Sequence, residues 1–143
     1  MPDERKPIYT AAATVTGGRA QGHGRSDDGE LDVQLRPPQD GGGTNPEQLF
    51  AVGYAACFEG AIGAVGRRER AEVGDVSIDS RVSLIPTEER TYKLGVSLDV
   101  SLPSIEDPEF AERIVRAAHE VCPYSNATRG NVDVALSVNG KAL

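Results

Sequence analysis

Two cysteines carry the chemistry this 143-residue chain could perform, and they stand far apart. Cys57 lies in "GYAACFEGA", inside an apolar helical pattern, and Cys122 lies in "HEVCPYSNATRGN", directly before Pro123. A thiolate is a nucleophile, and two thiols within reach of one another can close a disulfide. Their separation of 65 residues excludes a Cys-x-x-Cys motif. Spacing alone favours two buried, reduced cysteines acting as small hydrophobes, and the redox pair stays open beside that reading. A cross-link over so long a loop would constrain the unfolded chain by about 4 kcal/mol on the loop-entropy model. A catalytic disulfide must nevertheless reopen in every turnover.

Other chemistries have less to stand on. His119 and Cys122 are three residues apart, but a zinc site needs three or four ligands at usable spacing, and His23 and Cys57 could join only through the fold, so no metal site is expected. "GGRAQGHG" is rich in glycine yet leads from strand to strand, whereas phosphate-cradling loops open a helix. A Cys–His nucleophile pair with His119 or His23 has no local signature.

The redox reading makes demands of its own. In a helix lined by Ala, Phe and Tyr, desolvation would raise the Cys57 pKa and leave an inert thiol. A working thiolate needs a fixed cation, and an arginine stays charged when buried. That arginine needs a carboxylate to hold its plane. Arg19, on the "TGGR" turn, and Glu47, at the helix start, are the candidates. Glu47 and Cys57 stand about 15 Å apart along one straight helix. Glu47 therefore acts through the long Arg19 side chain or serves a partner's site, and the second version is favoured. Leu49, Phe50, Tyr54, Phe58 and Ile62 around Cys57 form the expected substrate pocket, suited to alkyl or aryl groups.

Bulk properties bound these readings. The length fits one domain, 1–143. Hydrophobic content is 38% with no Trp, lean for a self-sufficient core, so burial between subunits of a homo-oligomer is expected. A net charge of −7 argues against nucleic acid, whose binding rests on Lys and Arg. "MPDERKPIYT" is charged and lacks the apolar segment of a signal peptide. No apolar run is expected to span a bilayer. The expected compartment is a reducing cytoplasm, where paired cysteines are seldom permanent staples.

The elements that must position the cysteines follow from patterning. Strands are expected over 8–16 and 31–35, joined by a polar Gly-rich stretch over 17–30. "TNPEQLF" opens a helix with Asn45 as cap, Pro46 at the first position and Glu47 at the positive end, running to about Arg68. Within it Gly53, Ala56, Cys57, Gly60, Ala61 and Ala64 form a small-residue stripe. Glycine costs about 1 kcal/mol against alanine in a helix, so another backbone packed along the stripe is expected. Two alternating strands follow around "TEER" as a hairpin. A second helix begins at Asp107-Pro108 with Phe110, Ile114, Ala117, Ala118 and Val121 on its apolar face, and a strand closes the chain over 131–138. This order indicates an α+β fold with antiparallel sheet.

"GTNPEQLFAVGYAACF" and "VCPYSNATRGNVDV", with "YTAAATVTGGR" and "DDGELDV", closely resemble the signature segments of the organic hydroperoxide resistance proteins within the wider Ohr/OsmC family. The likeness covers nearly the whole chain. It implies an OsmC-like fold, antiparallel sheets wrapped around two central helices in an interlocked homodimer with active sites at the subunit boundary. It implies a thiol-dependent peroxidase that reduces organic hydroperoxides, with Cys57 as the peroxidatic and Cys122 as the resolving cysteine, closing an intramolecular disulfide. Arg19 matches the arginine that stabilises thiolate and peroxide, and Glu47 the glutamate that orients it. No bound cofactor is implied; dihydrolipoamide or a lipoylated protein is the reductant. The competing reading is a non-enzymatic member that binds a hydrophobic ligand and keeps structural cysteines. The loop "GGRAQGHGRSDDG" is longer than the family's form, which makes Arg25 a second arginine that could take the role of Arg19. Glu59 replaces an apolar residue, and 73–102 matches only in pattern.

Overall fold

The computed structural model describes residues 5–143. Within the single domain expected over 1–143, the chain divides into two compact units, one running to Pro46 and the other Glu47–Leu143.

The first unit is a three-stranded antiparallel sheet, β1 (Ala13–Thr16), β2 (Gly22–Ser26) and β3 (Asp32–Leu35), in that order. Gly17 turns β1 into β2 at φ 78°, a left-handed conformation that L side chains rarely adopt. A Cβ there would also lie 2.6 Å from the Gln21 carbonyl oxygen. The sheet differs from expectation in two ways. The strand expected over 8–16 is confined to 13–16, because Ile8 and Tyr9 are fully exposed and have no ladder partner in this unit. Part of the stretch expected as loop is the central strand β2, whose "GHGRS" has poor strand propensity. Pairing on both edges outweighs that propensity. All four residues of β1 are exposed, so this unit buries little of its own surface.

The second unit opens with α1 (Pro46–Arg68), followed by the hairpin β4 (Ser77–Pro86) and β5 (Tyr92–Ser101). Then come α2 (Pro108–Val121), α3 (Pro123–Thr128), β6 (Asp133–Val138) and β7 (Lys141–Ala142). The strands form one sheet in the order β4-β5-β6-β7. The α+β expectation holds, and the expected antiparallel pairing holds except between β5 and β6, which run parallel. A parallel pair needs a long crossover, and α2 and α3 supply it. Tyr54, Phe58, Ile62 and Val65 of α1 share one apolar cluster with Val96, Leu98 and Val100 of β5 and Ala111, Ile114, Val115 and Ala118 of α2.

Asp107 caps α2 as expected, its Oδ1 accepting from the Glu109 N–H at 3.0 Å, with Pro108 at the first position. By length and apolar content α1 does reach what a membrane span requires, contrary to the sequence expectation, because its Ala, Val, Ile, Leu, Phe and Cys residues raise the average across a stretch with a single charge, Glu59. Its bulkiest side chains nonetheless belong to the protein core. The small-residue stripe is also less covered than expected. Ala56 and Gly60 are exposed, and a Cβ on Gly60 would meet nothing within 4 Å. The buried face is the aromatic and branched one instead.

Ile114 is fully buried between sheet and helices. Ile114→Ala is expected to lower unfolding stability by about 2–5 kcal/mol, read from the midpoint of urea denaturation.

Candidate thiol site

Cys57 stands in the middle of α1, and Cys122 is the single residue between α2 and α3. Cys122 holds an extended conformation, φ −63° and ψ 123°, and serves as C-cap of one helix and N-cap of the next. Its N–H donates to the Ala118 carbonyl at 2.8 Å, and its own carbonyl accepts from Asn126 N–H at 3.0 Å. Pro123 fits the first position of α3, where a missing N–H costs nothing. Both backbone groups of Cys122 are thus committed, and its side chain points toward α1. The Cys122 Sγ–H faces Cys57 Sγ at 3.5 Å. Both cysteines are reduced; Cys122 is 0% exposed and Cys57 half-buried. Closing this gap to a disulfide bond of about 2.05 Å needs a shift near 1.5 Å.

The surroundings of Cys57 set its reactivity. Burial pushes its thiol pKa up, the hydrogen bond from the Tyr124 backbone N–H pulls it down, and the neighbouring Cys122 thiol pushes it up again. The balance is upward. This unit therefore places the two sulfurs in contact while its burial disfavours the Cys57 thiolate.

Of the five residues expected to line a pocket, Tyr54, Phe58 and Ile62 are fully buried, and Leu49 and Phe50 are half-buried. Phe50, Tyr54 and Phe58 recur every fourth residue and so share one face of α1. The Phe50 and Tyr54 rings meet edge-on at 6.1 Å, and Tyr124 closes against both at 5.9 and 5.7 Å. Gly53 makes room for this, since a Cβ there would lie 2.9 Å from the Tyr124 hydroxyl. Glu59 is exposed.

Four residues absent from the expected site surround it. The Tyr54 hydroxyl lies 2.7 Å from Ser125 Oγ and 3.2 Å from Thr128 Oγ1, and Ser125 Oγ lies 2.8 Å from His119 Nδ1. Arg129 donates to the His119 carbonyl at 2.5 Å and to Asn126 Oδ1 at 2.6 Å, tying the end of α2 to α3. The spacing Ser125/Thr128, one turn apart beyond the cysteine, was the available signal. Nothing in the sequence named Tyr54 as their partner.

In the first unit, Arg19 follows the Gly17-Gly18 turn and lines a cavity of about 230 Å³ with Ala20, Arg36, Pro37, Pro38 and Asn45. Arg25, the possible substitute, has its Nε 3.7 Å from Asp32 Oδ2. Its guanidinium also packs against Gly29. Glu47 stands in the first turn of α1, as expected. Among the described residues no three His, Cys, Asp or Glu side chains gather as metal ligands.

The sequence and the fold agree with known proteins. The family model of OsmC-like proteins matches residues 39–137. The chain belongs to the OsmC-like family, on the branch of the organic hydroperoxide resistance proteins. The organic hydroperoxide resistance protein of Xanthomonas axonopodis pv. citri is 47% identical over 146 residues, spanning 96% of this chain and 99% of that protein. The crystal structure of OhrB from Bacillus subtilis is 49% identical and has a TM-score of 0.86, covering 92% of this chain and 99% of that one. An organic hydroperoxide resistance protein from Legionella pneumophila is 51% identical with a TM-score of 0.88, covering 93% of this chain and 98% of that one. The OsmC-like fold expected from the sequence is thereby shown.

His119 offers a measurable consequence of the burial. Burial pushes its pKa below the ordinary 6.5, the Arg129 charge adds to this, and Glu120 opposes it. Below the ordinary value the unfolded chain binds a proton that the folded chain resists, so stability falls as pH drops through that window. An NMR titration is expected to place the His119 midpoint below 6.5, and His119→Asn to flatten the stability loss between about pH 6.5 and pH 5.

Proposed function

We propose that this OsmC-like protein is a thiol peroxidase that reduces organic hydroperoxides to alcohols. The observation that carries the reading is the contact of Cys122 Sγ with Cys57 Sγ at 3.5 Å, made by two free cysteines, one within α1 and one at the α2–α3 junction. The names of its relatives in Xanthomonas and Bacillus support a role in hydroperoxide detoxification. In this mechanism the Cys57 thiolate attacks the distal oxygen of the hydroperoxide. The O–O bond breaks, the alkoxide takes a proton and leaves as alcohol, and Cys57 becomes a sulfenic acid. The Cys122 sulfur then attacks the Cys57 sulfur. An S–S bond forms, the S–O bond breaks, and the hydroxide leaves as water with the Cys122 proton. A dithiol such as dihydrolipoamide, free or on a lipoylated protein, reduces the disulfide and is itself oxidised to the cyclic disulfide.

The upward pKa of Cys57 makes a cation necessary for the first step. Arg19 is proposed to supply it and to polarise the peroxide, with Glu47 holding its guanidinium plane. A homodimer with sites at the subunit boundary is proposed on three features. The first is a β1 with all four residues exposed. The second is an exposed half-stripe of small residues on α1 beside Val52, which is 70% exposed. The third is the lean apolar content. Leu49, Phe50, Tyr54, Phe58 and Ile62 give an apolar surround that favours alkyl, aryl and fatty-acid peroxides. No bound cofactor takes part, and a reducing cytoplasm is the compartment such chemistry needs.

The reduced protein with dihydrolipoamide is expected to consume cumene hydroperoxide rapidly, and Cys57→Ser to reduce consumption to background. Full activity in Cys57→Ser would instead identify a ligand-binding protein with structural cysteines. Arg19→Ala is expected to raise the Cys57 pKa in a thiolate absorbance titration, and an unchanged curve would move the role to Arg25 or Arg129.

A further inference from the structure

A chain of buried hydrogen bonds runs directly behind the two thiols, and the peroxidase reading does not use it. Its direction can be worked out from one end. Thr128 Oγ1 donates its only proton to the Ser125 carbonyl at 3.2 Å, a group that can only accept. Thr128 Oγ1 must therefore accept from the Tyr54 hydroxyl at 3.2 Å. With its proton committed there, the Tyr54 oxygen accepts from Ser125 Oγ at 2.7 Å. Ser125 Oγ, its own proton now committed, has to accept from His119 Nδ1 at 2.8 Å. His119 is thus a donor at Nδ1 whether neutral or charged, and in the neutral ring Nε2 carries the lone pair.

The chain joins three elements around the Cys57–Cys122 gap. Tyr54 lies one turn before Cys57 on α1, His119 one turn before Cys122 on α2, and Ser125 and Thr128 both lie on α3. Tyr54 and Ser125 are 0% exposed, so no water can replace a lost partner. Cys122 makes no side-chain cap bond of its own. Its sulfur is aimed by how α2 and α3 are held against α1, and these bonds add direction to the apolar packing and the Arg129 bonds that hold them there.

We propose that Tyr54, Ser125, Thr128 and His119, the last fixed as its Nδ1–H tautomer, are positioning residues for the resolving step, holding Cys122 at attack distance from the Cys57 sulfenic acid. The proposal rests on the peroxidase reading. It makes the network specific to disulfide closure: the Cys57 thiolate reaches peroxide without it, whereas Cys122 cannot stay aligned without it.

The test is rapid-quench oxidation of the reduced full-length protein by cumene hydroperoxide, with the sulfenic acid trapped by dimedone and counted by mass spectrometry. Ser125→Ala is expected to slow disulfide closure about tenfold, the effect of one buried hydrogen bond, and to accumulate the dimedone adduct. The initial oxidation of Cys57 changes far less. His119→Leu behaves like Ser125→Ala, while His119→Asn keeps closure near wild type because its amide N–H replaces Nδ1–H. Should Ser125→Ala fail to fold, Thr128→Val removes the next hydroxyl at similar volume and carries the same expectation. Long-range ¹H–¹⁵N spectra are expected to show the neutral His119 proton on Nδ1, and a proton on Nε2 overturns the assignment. Normal closure in both Ser125→Ala and His119→Leu, or equal slowing of both steps, overturns the positioning role and leaves the peroxidase reading intact. Wild-type protein that forms neither adduct nor disulfide overturns the peroxidase reading and this one with it.

Discussion

The hinge between α2 and α3 is one residue long, and that residue is Cys122. Everything at the thiol site follows from this constraint. An extended residue between two helical segments has both backbone groups already bonded, so its side-chain direction is set by the angle at which the helices meet. Arg129 ties the end of α2 to α3 through the His119 carbonyl, and Ser125 ties the same helices through the His119 ring. A junction braced on both sides holds the sulfur in contact with Cys57 while leaving a single pair of dihedrals free to close the remaining distance.

That bracing is polar, buried and continuous, which gives it a different character from the apolar core around it. Apolar packing tolerates small shifts at modest cost, since contacts are many and individually weak. A buried hydroxyl chain does not: each bond fixes the direction of the next, and a broken link leaves a desolvated polar atom unpaired. The aromatic face of α1 serves both sides of this arrangement. Phe50, Phe58 and the Tyr54 ring supply packing, while the Tyr54 oxygen links Ser125 to Thr128 in the polar chain of α3.

Much of this was legible in the residues themselves. Helix α1 begins where Asn45-Pro46-Glu47 indicates, α2 is capped at Asp107, and the hairpin of β4 and β5 falls on the two alternating runs. Cys57 and Cys122, drawn together by resemblance, meet in space. Three features escaped for physical reasons. Strand β2 is made of residues with no strand preference and exists because neighbours pair on both edges. The parallel β5–β6 pair depends on where the α2–α3 crossover returns, which alternation within a strand does not encode. Tyr54 looked like pocket lining because its ring falls on the Cys57 face. Its hydroxyl partners lie more than 70 residues away and no periodicity links them.

The upward pKa of Cys57 gives the site its logic. In the proposed mechanism, a Cys57 permanently ionised beside Cys122 would be vulnerable to any passing oxidant. Burial and the adjacent thiol push the Cys57 pKa up, and the Tyr124 N–H opposes them without prevailing. Reactivity then depends on a charge brought from elsewhere, the role proposed for Arg19 on a turn of the other unit. The division matches the distribution of core. The second unit carries the apolar cluster and holds both thiols, whereas the first buries little and carries Arg19 beside a glycine-formed bend.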